Sequence, residues 1–250
     1  MKHLTLILIL IAASQSIVWA QADANNLNVF VDIAHGQRFW NDPADMVKGA
    51  GEDAARAQYL TNQLKATASS LDASTDYLKS EISAGVLANC DLLFIHSPSA
   101  QYSDNEVAAI EQYVQQGGSL FLVLDVDYWS TLEQTNVNDI IKPFDIQFGE
   151  DSSDTLSGGY ATPSAVVSEE LEVIYHGGRL LEGGTPFCFN KQSDEVFGTY
   201  KVTEGGGRII VMGDGMASLY MTEWKGVEYP SQKFMSEAVS WLLHEHTLNK

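Results

Sequence analysis

Basic side chains are scarce in this chain. Fourteen lysines and arginines face 33 aspartates and glutamates over 250 residues, a formal charge of −19. Such a surface repels nucleic acid and anionic lipid, and it disfavours a long polyanionic substrate unless a metal or a local basic patch offsets the field. Cysteine is nearly absent too. Cys90 and Cys188 stand far apart and neither belongs to a Cys-x-x-Cys pair, so dithiol redox catalysis has no support. Their neighbours, ANCDLLFI and PFCFN, read as buried, so free, apolar-packed thiols are expected, with a disulfide left open. There is one long apolar run, about ten residues from Leu4 to Ala13, too short to span a bilayer comfortably. Familiar site motifs are missing as well. There is no G-x-S-x-G elbow, no Walker loop and no G-x-G-x-x-G after a strand. GGGR at 205–208 precedes an apolar run, which makes it a hairpin turn rather than a phosphate cradle.

What the N-terminus does contain is a short polar start, the apolar run, and Val18 and Ala20 where a signal peptidase reads. This predicts a signal peptide over 1–20, cut after Ala20, and a periplasmic or secreted protein; an uncleaved anchor is the alternative. No later segment is apolar enough to span a membrane in the mature chain. Loss of Lys2, the one charged residue of the leader, makes the charge −20. A polar leader covers 21–27, and a single α/β domain is expected over 28–246.

The domain alternates strands and helices. LNVFVDIA, CDLLFIHSP, Ser119 to Leu124 and GRIIVMGD are continuous apolar runs, the pattern of parallel strands buried on both faces. Ala54, Ala57, Leu60 and Leu64 recur at helical spacing, and STDYLKSEIS is a weaker strand followed by a turn. Ser103 and Glu106 form a capping box before Val107, Ile110 and Val114, and Gly117 ends that helix. This strand–helix–strand unit predicts parallel neighbours joined by a right-handed crossover. A short helix around NVNDIIKPF leads to a strand DIQFG. Residues 150–164 read as loop, and 169–213 carry short strands split by glycine pairs. The last helix starts near Ser231 and buries Phe234, Ala238, Trp241 and Leu242. A three-layer α/β/α, doubly wound, mostly parallel sheet follows.

In such sheets ligands bind beyond the carboxyl ends of the strands. The four apolar runs deliver Asp32 and His35, then His96, then Asp125 and Asp127, then Asp214. Three readings follow. One is a divalent metal site, with His35, His96 and Asp127 as candidate ligands, although their spacing matches no metal motif. Another is acid–base chemistry by Asp32, His35, His96, Asp125 and Asp214. The third is structural, because an aspartate after a strand commonly accepts the N–H groups of the next turn, which suits Asp214 before Gly215.

DLLFIHSPSAQYSDNEVAAIEQYVQQGGSLFLVLD resembles the central unit of class-I glutamine-amidotransferase-like domains. It is most similar to non-catalytic ones, found in gliding-motility transporter auxiliary proteins, intraflagellar-transport proteins, trehalose-utilisation-like proteins and exported bacterial proteins. VNDIIKPFDIQFGED, GRIIVMGDGMASLY and FVDIAHGQRF resemble further parts of that flavodoxin-like fold, so the likeness covers most of 28–243. Catalytic members place a nucleophilic cysteine at the elbow where this chain has Asp125, Val126 and Asp127, so the resemblance implies a domain without glutaminase chemistry. The expected function is a non-catalytic binding domain for a small polar ligand, such as a sugar or sugar derivative, or for a protein partner. His35, Gln37, Arg38, Trp40, Tyr128 and Trp129 would line it. No cofactor is implied, and a divalent metal stays open. The alternative is a hydrolase acting on a small or carbohydrate substrate.

Overall fold

The computed structural model describes residues 27–37, 40–45, 52–219 and 221–248. The expected signal peptide, all but the last residue of the polar leader, and Arg38 lie outside them. In chain order the elements are β1 (Leu27–Asp32), α1 (Glu52–Ser69), β2 (Ala73–Leu78), α2 (Ala84–Leu87), β3 (Leu92–His96), α3 (Asp104–Gln115), β4 (Ser119–Val123), α4 (Val137–Ile141), β5 (Ile146–Asp151), β6 (Gly159–Ala161), β7 (Leu171–Val173), β8 (Arg179–Gly183), β9 (Thr185–Asn190), β10 (Val196–Val202), β11 (Arg208–Met212), α5 (Met216–Leu219) and α6 (Ser231–Leu248).

Nine strands form one mixed sheet in the order β2-β1-β3-β4-β11-β10-β9-β6-β7, and β5 pairs with β8 in a separate ribbon. The first five are parallel to one another. The remaining four add on antiparallel. The expectation of a mostly parallel sheet thus holds for one half. In the other half the β9–β10 and β10–β11 connections are too short for a crossover, so these strands must return as hairpins. The GGGR segment makes the second of them, with the Thr203 N–H donating to the Gly207 carbonyl at 2.8 Å. The reading of 150–164 as loop is corrected by β6, which pairs with β7 and β9. Its sequence, GYA, has little strand propensity, and its pairing partners hold it in the sheet.

Alternate residues of the central strands go to opposite faces. Phe94, Phe121, Val123, Ile210 and Met212 pack with Leu60 and Leu64 of α1 and Phe234, Ala238 and Leu242 of α6. Leu93, Ile95, Leu120, Leu122, Ile209 and Val211 pack on the other side with Ile110 and Val114 of α3 and Ile140 of α4. Both faces are therefore dry, which is why these strands read as unbroken apolar runs. Ser103 caps α3 as expected: its hydroxyl accepts the Glu106 N–H at 3.3 Å, and the Glu106 carboxylate accepts the Ser103 N–H at 2.9 Å. Trp241, expected in the core, is only half-buried. It lies at the margin, with the Arg208 guanidinium 5.0 Å from its ring centre.

Both cysteines are free and buried. Burial pushes the Cys90 thiol up to about 12. Among the described residues no helix is long and apolar enough to cross a membrane.

One close approach fixes the end of β11. A Cβ on Gly213 would lie 1.9 Å from the carbonyl oxygen of Arg179, so only glycine lets β11 run past the start of β8. Gly213→Ala is expected to destabilise the fold by about 1–3 kcal/mol, the usual range for overpacking, read as a lower urea midpoint with unchanged m.

Candidate functional site

β1, β3, β4 and β11 run parallel and end on the same edge of the sheet. Two polar groups form there. The first is centred on His35, in the turn after β1. Its Nδ1 lies 2.9 Å from Asp32 Oδ2, and its Nε2 lies 3.2 Å from Glu106 Oε1. Tyr102 stacks on the imidazole at 3.9 Å, and its hydroxyl donates to Asp32 Oδ2 at 2.6 Å. Glu106 Oε1 also accepts the Ile82 N–H at 2.9 Å. Burial alone would lower the His35 pKa, but the Asp32 hydrogen bond and the charges of Asp32 and Glu106 outweigh it and hold it above the ordinary 6.5. Burial likewise raises Glu106, and the N–H groups of Ile82 and Ser103, the Ser103 hydroxyl and His35 together bring it below its ordinary value. This is a buried imidazolium between two carboxylates, pinning the β1 turn to the start of α3.

The second group gathers His96, Asp125 and Asp214. His96 ends β3 and is 1% exposed. Neither ring nitrogen has a hydrogen-bond partner. The Gly215 carbonyl is close enough to resist in part the fall of its pKa, which burial still drives to about 4. Asp125, just past β4, is raised to about 6, first by burial and further by the charge of Asp151, against the N–H groups of Val126 and Gly215 and the Arg179 guanidinium. Asp214 is raised well above the ordinary range by burial and by Asp125. Its carboxylate accepts N–H bonds from His176 at 2.8 Å and Met216 at 2.6 Å, the turn-capping role anticipated from Gly215. A Cβ on Gly215 would lie 2.7 Å from His96 Nε2 and 3.0 Å from Asp125 Oδ2, so β3 and β4 present these atoms to one spot beside the loop after β11.

Ser97, directly after His96, is held at φ 42°, a left-handed conformation that a serine rarely adopts. Its N–H donates to the Val123 carbonyl at 2.8 Å and its hydroxyl accepts the Asp125 N–H at 3.4 Å. Among the described residues the strained turn of this edge therefore follows β3, not the β4 elbow.

The candidate ligand-lining residues divide. Trp40 is 1% exposed and packs 6.0 Å from the His96 ring, with no partner for its indole N–H. Gln37 is buried, and neither its amide nitrogen nor its oxygen has a partner. Tyr128 is 79% exposed on the rim, packed edge-on against Trp129. Asp127 does not join His96. It pairs with the Arg179 guanidinium at 2.6 Å. Among the described residues no three His, Cys, Asp or Glu side chains are arranged to hold a metal ion. A cavity of about 410 Å³ lies at the opposite end of the sheet, lined by Ala84, Leu87, Cys90, Tyr113, Gly118 and Gly205, away from this chemistry.

Three residues of the edge carry roles that the sequence does not announce. Glu106 is visible there as a helix cap, but its second role needs His35 beside it in space. Tyr102 and Arg179 carry no local signal. Arg179 is 2% exposed and its guanidinium donates to the carbonyls of Gly149, Asp125 and Ser130 as well as to Asp127. It fastens the loop that carries Tyr128 and Trp129.

The chain is similar to the IFT52 GIFT domain over residues 54–160. The N-terminal domain of mmIFT52 superposes with a TM-score of 0.61 at 15% identity, over 86% of this chain and 96% of that one. A ThuA-like protein from Bacteroides uniformis gives 0.50 at 13% identity, over 88% and 93%. A GMP synthase component from Thermoplasma acidophilum gives 0.50 at 10%, over 89% and 97%. No curated protein matches. These likenesses agree with the intraflagellar-transport-like, ThuA-like and amidotransferase-like resemblance at the level of fold.

The His35 group generates a pH dependence. A folded pKa raised above the unfolded value contributes stability that is fully present below 6.5 and is lost as pH rises through the raised value. His35→Leu leaves Asp32 and Glu106 without their shared cation, and at pH 6 it is expected to cost about 3–5 kcal/mol. Urea midpoints measured from about pH 6 to pH 9 should fall for the native chain by more than for the variant.

Proposed function

We propose that this chain is a non-catalytic binding domain, and that it takes a small polar ligand, a sugar or sugar derivative, at the carboxyl edge of its parallel strands. The observation that carries this reading is the set of five buried polar atoms on Gln37, Trp40 and His96 without hydrogen-bond partners. Each unmatched buried group costs about 1–3 kcal/mol. A ligand that supplied partners would recover that energy and would be bound for it.

The order of the parallel strands, β2-β1-β3-β4-β11, supports a doubly wound, flavodoxin-like unit, because it matches the 2-1-3-4-5 order with β11 in fifth place and helices lie on both faces. In that class ligands sit at this edge. An amidotransferase-like domain without its cysteine is the family reading, supported by the carboxylate at the β4 end and by two buried, protonated thiols away from it. Residues 1–20 support export to the periplasm or beyond.

A protein partner at the same edge is the second reading. The similarity to the IFT52 GIFT domain and the exposed Tyr128 favour it. A hydrolase retains one observation, the Asp125 carboxyl raised to about 6. Among the described residues it lacks a nucleophile hydrogen-bonded to a base.

A thermal-shift screen of neutral and charged sugars tests the reading. A ligand at about 100 times its Kd adds about 2.7 kcal/mol to apparent stability. Trp40→Phe keeps an aromatic ring and removes the indole N–H, so the shift is expected to shrink in this variant. A ligand that protects the native chain and Trp40→Phe equally places binding elsewhere.

A further inference from the structure

We propose that the spot beside Gly215 is a seat for a primary ammonium group, and that the ligand of the edge site is a small amino alcohol of the amino-sugar type. This rests on the binding reading above and names the chemistry of its ligand.

The geometry comes first. His96 Nε2 and Asp125 Oδ2 converge on one position, 2.7 and 3.0 Å from where a Gly215 side chain would begin. His96 is only 1% exposed and both its nitrogens lack partners, so it is an unmatched polar group aimed at a carboxylate that already faces it. Gln37 and Trp40, from the segment after β1, add three more unmatched atoms.

Charge comes second. Asp125 and Asp214 are buried near each other, and each raises the cost of ionising the pair. The cationic neighbour of Asp125 is Arg179, whose guanidinium is already turned to Asp127 at 2.6 Å, Asp151 at 3.5 Å and three main-chain carbonyls. The cluster has surplus negative charge and no spare cation among the described residues. An ammonium group supplies one. A ligand carboxylate would meet two aspartates, and a neutral hydroxyl in the same place would leave Asp125 uncompensated. The −19 charge of the chain also raises the local concentration of cations and lowers that of anions.

Donor and acceptor matching comes third. The three N–H bonds of an ammonium find the Asp125 carboxylate, the acceptor nitrogen of a neutral His96 and Gln37 Oε1. Trp40 Nε1 donates only, and Gln37 Nε2 and the other nitrogen of His96 also donate. Ligand hydroxyl oxygens are their partners. All five orphan atoms are then satisfied in the correct sense, which an alkylamine alone or a polyol alone would not do.

Calorimetric titration of the full chain with glucosamine, glucose, glucuronate and methylammonium tests this. Glucosamine is expected to bind at least about tenfold more tightly than glucose, since a charge-assisted hydrogen bond is worth a decade or more. Glucuronate should give no heat, and Asp125→Asn should bring glucosamine down to the affinity of glucose. Should that variant fail to fold, competition on the native chain replaces it: excess methylammonium must weaken glucosamine binding while sodium at equal ionic strength must not. Glucosamine binding no better than glucose overturns the ammonium seat and leaves the edge site standing. Silence with every probe, methylammonium included, overturns both.

Discussion

The parallel strands are covered on both faces, and the rest of the molecule follows from that. With one apolar cluster above the sheet and another below, a polar side chain on β3, β4 or β11 would face hydrocarbon whichever way it pointed. Polar chemistry can appear only where a strand runs out. Asp32 is the last residue of β1 and His96 the last of β3, while Asp125 and Asp214 each stand two residues past β4 and β11. No shared motif places them together. Dry faces and parallel direction do.

The edge then treats its buried polar groups in two ways. Around His35 and Arg179 nearly every group is matched. An imidazolium bridges two carboxylates, and a guanidinium gathers two carboxylates and three carbonyls. Around His96 the matching fails. Unpartnered atoms also occur singly elsewhere, as at Thr199 and Ser231, but on Gln37, Trp40 and His96 there are five. At about 1–3 kcal/mol each they amount to a sizeable part of the 5–15 kcal/mol by which a domain is stable. A fold that spends its matching on the two flanking networks and leaves the middle unmatched is organised to receive something there.

The strands that build this edge are legible because burial on both faces writes itself as unbroken apolar sequence, and α3 is legible because its capping box is local. β6 is not, because three residues with a leading glycine become a strand only through β7 and β9. Trp241 falls short of the core since helical spacing gives a face but not how far that face extends over the sheet. At the site, Asp32, His35, His96, Asp125 and Asp214 can be picked out as strand-end residues. Their division into two groups cannot, since it depends on Glu106 and Tyr102 reaching back from the crossover between β3 and β4 and on Arg179 arriving from a ribbon outside the main sheet. Asp127 illustrates the limit: two residues from Asp125, it faces a different partner altogether.

The two imidazoles of the edge explain why binding is a better account than catalysis. A general base works best with a pKa near the operating pH. His96 has been driven to about 4 by burial, so it is neutral but too weak a base to draw a proton from a hydroxyl. His35 errs in the other direction. Asp32 and Glu106 occupy both its nitrogens and favour its charged form, so it has no free lone pair to offer. Asp125, raised to about 6, is the one group in a useful range, and the N–H groups of Val126 and Gly215 hold its carboxylate in place on the protein. Each feature that disqualifies these residues as proton carriers, neutrality without partners at His96 and a fixed, undercompensated carboxylate at Asp125, is what a stationary recognition site requires of an acceptor.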